Sequence, residues 1–97
     1  MKNAFLGTWR GPDEYTSEVE YTVAECSEIV SVTAVDPSDG EAADVSEVVM
    51  SEAGLTFVAL WRSTGRIARC VIELVGENEA KLTFTYTDHA RLVRRAA

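Results

Sequence analysis

Apolar and polar residues alternate along most of this chain, and the alternating runs are separated by turn residues. Over residues 18–24, Val19, Tyr21 and Val23 fall on one face. Residues 28–35 continue the pattern with Val30, Val32 and Ala34. A fourth run spans 45–50, and a longer one, 55–62, carries Leu55, Phe57, Ala59 and Trp61 at every second position. Residues 66–75 and 80–87 follow; in the latter, Leu82, Phe84 and Tyr86 oppose Thr83, Thr85 and Thr87. A period of two places successive side chains on opposite faces of an extended strand. Asp36-Pro37-Ser38-Asp39-Gly40, Glu52-Ala53-Gly54, Ser63-Thr64-Gly65 and Gly76-Glu77-Asn78-Glu79 have the chemistry of turns.

With a short opening strand at 7–11 and a closing one at 91–94, the count is about eight strands at hairpin spacing. No helical stripe competes. Short connections make sequential neighbours antiparallel. A meander of this kind exposes two edges unless it closes on itself. The expected fold is therefore all-β: one domain over 1–97, a small antiparallel up-and-down barrel.

Size, charge and cysteine content narrow the partners. Ninety-seven residues bury only a thin core. The net charge of −7 disfavours nucleic acid, whose phosphates require a basic face, and disfavours anionic membranes. Met1-Lys2-Asn3 precedes only three apolar residues, so a signal peptide is not expected and a cytoplasmic location is. Cys26 and Cys70 are then expected as reduced thiols. No Cys-x-x-Cys pair suggests a thiolate metal site. Asp36 to Glu41 lacks the ligand spacing of a calcium loop and reads as a hairpin turn, and no metal site is expected. Glu18, Glu20, Glu25 and Glu28 read as solvated charges.

Gly7-Thr8-Trp9 at the start of the first strand resembles the Gly-x-Trp signature of the lipocalin-like (calycin) barrels. The resemblance implies a Trp9 that closes one end of the barrel, a Gly7 that bends the chain into the strand, and an arginine of the last strand, Arg94 among Arg91, Arg94 and Arg95, packed over the indole. The longer opening, Leu6 to Gly11, is similar to that of nitrobindin-like barrels, which bind haem through a histidine near the C-terminus. His89 is the one histidine of the chain. A haem on it is not expected, because a short eight-strand barrel has little interior room; no cofactor is expected.

Tyr21, Phe57, Trp61, Phe84 and Tyr86 can all point inward in such a barrel. They either fill it, which is the favoured outcome at this strand number, or line a shallow apolar pocket. The first functional expectation is small-molecule binding of an apolar or aromatic ligand by these five residues, with His89 or Arg62 at the rim. A second is a small barrel enzyme of the cyclase or isomerase type, with Tyr86 or His89 as proton donor. A third is a structural or interaction protein with a filled core. If Phe57, Ala59 and Trp61 face inward, Val58 and Leu60 face outward beside Ile67 and Val71. That outer apolar patch predicts a homodimer.

Overall fold

In the computed structural model, residues 3–11, 19–52, 54–88 and 90–95 are described. They form eight strands: β1 (Gly7–Trp9), β2 (Glu20–Cys26), β3 (Ile29–Asp36), β4 (Glu41–Ala42), β5 (Asp44–Ser51), β6 (Gly54–Trp61), β7 (Arg66–Leu74) and β8 (Ala80–Thr87). The fold is all-β and antiparallel, in two four-stranded sheets ordered β1-β2-β3-β4 and β5-β6-β7-β8. The chain crosses between sheets at Ala43. Its N–H still donates to the Ala34 carbonyl of β3 at 2.9 Å, whereas Asp44 already pairs with Leu60 of β6. Among the described residues, no pairing joins β1 to β8, so the described sheets do not close into a cylinder.

The period-two pattern accounts for the core. Tyr21 and Val23 of β2 are buried opposite Ala34 and Val32 of β3. Leu55, Phe57 and Ala59 of β6 are buried opposite Ile72, Cys70 and Ala68 of β7. Tyr21 faces Ala34 and Phe57 faces Cys70, so large side chains sit beside small ones and the sheets can approach. Across the interface the Tyr21 and Phe57 rings meet at 5.7 Å between centroids, tilted by 55°. Such tilted pairs contribute roughly 0.5–1.5 kcal/mol beyond the area they bury. The residues expected to fill or line the interior at Tyr21 and Phe57 lie in this packed core.

Two local departures from regular pairing shape the sheets. Ser46 pairs with Val58 but Val49 with Thr56, so β5 carries one extra residue, and Glu47 there has a left-handed backbone with φ 53°. Without that bulge, strict alternation from Val45 would turn Glu47 into the core. With it, Val45 and Val48 pack on the core while Glu47 lies outside, 3.9 Å from Arg69. The β2–β3 hairpin closes through Ser27 and Glu28 alone, both left-handed at φ 50° and 68°. That is the geometry of a tight two-residue turn matched to strand twist.

The end of the chain differs from expectation. Residues 90–95 form no strand and are exposed, with Leu92 at 90% and Val93 at 75% of full accessibility. Leu92 and Val93 are adjacent, so an extended segment would turn one of them away from any sheet it joined. The eight strands thus arise differently from the eight expected: the 91–94 strand is absent, and the short β4 is separate from β5.

Candidate functional site

The inner rows are apolar through the middle of the molecule, and some become polar at one end. One step beyond the core, Ala34 is followed by Asp36, Ala59 by Trp61, and Ala68 is preceded by Arg66. On β8 the same step leads from Phe84 to Tyr86, and ahead of Tyr21 it leads to Val19. These end positions surround an open cleft of about 250 Å³, lined by Val19, Asp36, Asp39, Glu41, Trp61, Ser63, Thr64, Arg66 and Tyr86. At the opposite end the corresponding positions are Val30, Leu74, Ala80 and Leu82, with Glu25 of β2 the charged step, exposed opposite Val30. The polar positions thus gather more densely at the first end.

Two turns build the rim. In the β3–β4 turn, the Asp36 carboxylate accepts from the Ser38 N–H at 3.0 Å and the Ser38 hydroxyl at 2.6 Å. These bonds favour the ionised form and hold the Asp36 carboxyl below its ordinary range. The Gly40 N–H closes onto the Asp36 carbonyl at 2.8 Å, and the Asp39 carboxylate accepts the Glu41 N–H at 2.8 Å. Gly40 turns the chain with φ 76°. In the β6–β7 turn, the Thr64 and Gly65 N–H groups donate to the Trp61 carbonyl at 3.3 and 2.7 Å.

Side chains then tie the two turns together. The Glu41 carboxylate accepts from the Ser63 hydroxyl at 2.7 Å and from the Ser63 N–H at 3.0 Å. Asp44 pairs with Arg62 beside this bridge. On the β8 side, Arg66 pairs with Asp88 at 3.3 Å and lies 4.9 Å above the centre of the Tyr86 ring. The cleft thus presents three carboxylates, one guanidinium already engaged by an acid, and the indole and phenol of Trp61 and Tyr86. Its field is negative, in keeping with the chain as a whole.

The residues singled out in the sequence distribute over distinct places. Trp61 and Tyr86 line the cleft, whereas Tyr21 and Phe57 are core. Phe84 is exposed and meets Tyr86 edge-on, with centroids 5.1 Å apart. Trp9 is half-buried against the core and donates its indole N–H to the Phe5 carbonyl at 2.8 Å. Gly7 adopts φ 125° as β1 begins. Arg94 is exposed; among the described residues, the cation held over a ring is Arg66, above Tyr86. Val58, Leu60 and Val71 are half-buried on the outer face and Ile67 is exposed, with Arg69 interrupting the row. Cys70 is buried and Cys26 exposed, both as free thiols. His89 and Glu18 lie outside the described residues.

None of Asp36, Asp39, Glu41, Ser63, Thr64 and Arg66 is expected from the sequence at a ligand site: 36–41 and 63–64 read as turns, and Arg66 as the start of a strand. The alternation, carried one step past the apolar stretch, reaches Asp36 and Arg66; Asp39, Glu41, Ser63 and Thr64 come from the turns that follow those strands. Among the described residues, no cluster of three or more histidine, cysteine or acidic side chains is placed to hold a metal ion. Among them, too, no helix is long and apolar enough to cross a membrane. Comparison of the chain with known protein families, with curated proteins and with solved structures finds no match.

Proposed function

We propose that this chain is a small-molecule binding module that takes its ligand in the end cleft rather than between the sheets. The observation that carries the reading is the switch of the inner row from apolar to polar at one end, which leaves Trp61 and Tyr86 beside Asp36, Asp39 and Glu41. Aromatic faces with adjacent carboxylates suit an organic cation with a flat apolar part. The packed Tyr21–Phe57 contact argues against an interior ligand. The Gly7-Thr8-Trp9 opening supports a binding role, as a lipocalin-like protein of the cytoplasm, with Trp9 packed on the core rather than in the cleft. An enzyme of the cyclase or isomerase type would use the same cleft, with Tyr86 as proton donor.

A space of about 250 Å³ lies just below the usual range for drug-sized ligands, so the ligand is small. Efficiency limits for small, partly enclosed ligands place its affinity at about 0.1–1 mM. The test is a tryptophan-fluorescence and amide-shift titration with phenethylammonium, using phenylacetate as the anion of similar shape. The cation is expected to bind and the anion to bind at least about tenfold more weakly. Trp61→Ala is expected to abolish the response. Equal binding of both probes, or binding unaffected by Trp61→Ala, refutes the assignment.

A further inference from the structure

We propose that two copies of this chain associate edge to edge through β8, forming a continuous antiparallel sheet across a two-fold axis near Phe84. Among the described residues β8 pairs on one side alone, with β7 from Leu74↔Ala80 to Ile67↔Thr87. The other edge is eight residues long and regularly alternating. It contains no proline and no bulge, and Lys81 is its one charged residue. Natural edge strands are usually blunted by several such devices, because a row of open backbone donors and acceptors templates a further strand.

The side chains agree with the backbone. Leu82, Phe84 and Tyr86 share the core-facing side of β8, opposite Ile72, Cys70 and Ala68. The first sheet does not reach far enough to cover them: Phe84 is 46% and Tyr86 48% exposed. An antiparallel pair about a two-fold axis normal to the sheet keeps each residue on its own face. Centred on Phe84, the register sets Phe84 against its equivalent and Tyr86 against Leu82 of the second copy. On the other face Thr83 meets Thr85, the small polar pairing that suits cross-strand neighbours. Lys81, the one charge on the strand, then stands opposite Thr87 of the second copy on that same face, away from its own equivalent. Half of each ring is available, roughly 100 Å² apiece, and four such rings plus the strand edges fall short of a standard interface. The association is therefore reversible and concentration-dependent.

This inference does not rest on the ligand reading. Phe84 is not among the cleft residues, although its ring touches that of Tyr86; Phe84→Lys therefore alters the edge without removing a cleft side chain, and Trp61→Ala alters the cleft without touching β8. The experiment is sedimentation velocity and amide-shift mapping of the full chain from about 10 μM to about 1 mM, in the range expected for a weak edge contact. A dimer whose concentration-dependent shifts map to 81–87 is expected. Phe84→Lys should raise its dissociation constant at least about tenfold, with the far-ultraviolet circular dichroism unchanged. Ile67→Lys, on the outer face, should leave it as it was. A chain monomeric throughout that range overturns the proposal. So does a dimer insensitive to Phe84→Lys and abolished by Ile67→Lys, which places the contact on the outer face of β6 and β7.

Discussion

Gly54 is the position at which the fold makes the sharpest energetic demand. It opens β6 with φ 149°, and it is buried. A methyl group built on it would stand 2.6 Å from the Ile72 carbonyl oxygen, with the Glu73 Cγ and the Ile72 carbonyl carbon both at 3.4 Å. The nearest obstacle is backbone in the neighbouring β7, so no side-chain rotation relieves it. A backbone conformation of this kind costs a non-glycine residue about 1–3 kcal/mol. Displacing a central strand adds a penalty of similar size, so Gly54→Ala should lose about 3 kcal/mol or more. Against a total stability of roughly 5–15 kcal/mol for a small domain, that is a large fraction.

Gly40 supplies the control. Its φ is 76°, also left-handed, yet nothing lies within 4 Å of the added methyl. Gly40→Ala should therefore show the backbone strain alone, about 1–2 kcal/mol. Urea unfolding followed by circular dichroism measures both, with the dependence on urea concentration unchanged if only stability is altered. The melting temperature of the Gly54 variant should fall by roughly 10–25 °C. If Gly54→Ala proves no worse than Gly40→Ala, the close approach of β6 to β7 described above is wrong.

Other variants probe the core and its titrating groups. Phe57→Ala should cost about 3–5 kcal/mol, because Phe57 is among the largest wholly buried side chains; a loss below about 1 kcal/mol would mean the core is not packed there. Trp9→Phe, which removes the 2.8 Å bond to the Phe5 carbonyl, should cost about 1 kcal/mol in the same assay. Burial pushes the Cys70 thiol from 9.0 up to about 11 and pushes the Tyr21 phenol up as well. The unfolded chain then releases these protons first. The Cys70 contribution to stability is thus complete below pH 9 and lost as the pH rises through about 11, and Cys70→Ala should flatten that alkaline decline. A disulfide reagent at neutral pH should label Cys26 in the native chain and reach Cys70 only after unfolding; equal rates at both thiols would contradict the burial.

Much of this architecture follows from alternation. The β6 pattern alone assigns Phe57 and Ala59 inward and Val58 and Leu60 outward, and the chain folds that way. The 36–40 turn is legible from its proline, aspartates and glycine. Three features escape a period-two reading. The Glu47 bulge shifts the face of everything after it by one residue, and an Asp-Val-Ser-Glu-Val-Val-Met run does not announce where the extra residue falls. Ser27 and Glu28 make a left-handed turn with neither glycine nor asparagine, residue types that usually flag such a turn. Which inward positions remain uncovered depends on how far one sheet extends past the other. Phe84 and Tyr86 share the inner face with Cys70 and Ala68, yet only the latter pair is buried. The cleft lay in the same pattern, since Asp36, Trp61, Arg66 and Tyr86 are the next steps of the rows that build the core.

Amide-shift mapping of the phenethylammonium titration reports directly where a ligand settles. The shifts should gather on 36–41, 61–66 and Tyr86, leaving the amides of Val23, Val32, Leu55 and Ile72 in place. Shifts centred on those four core residues would put the ligand between the sheets and contradict binding in the end cleft.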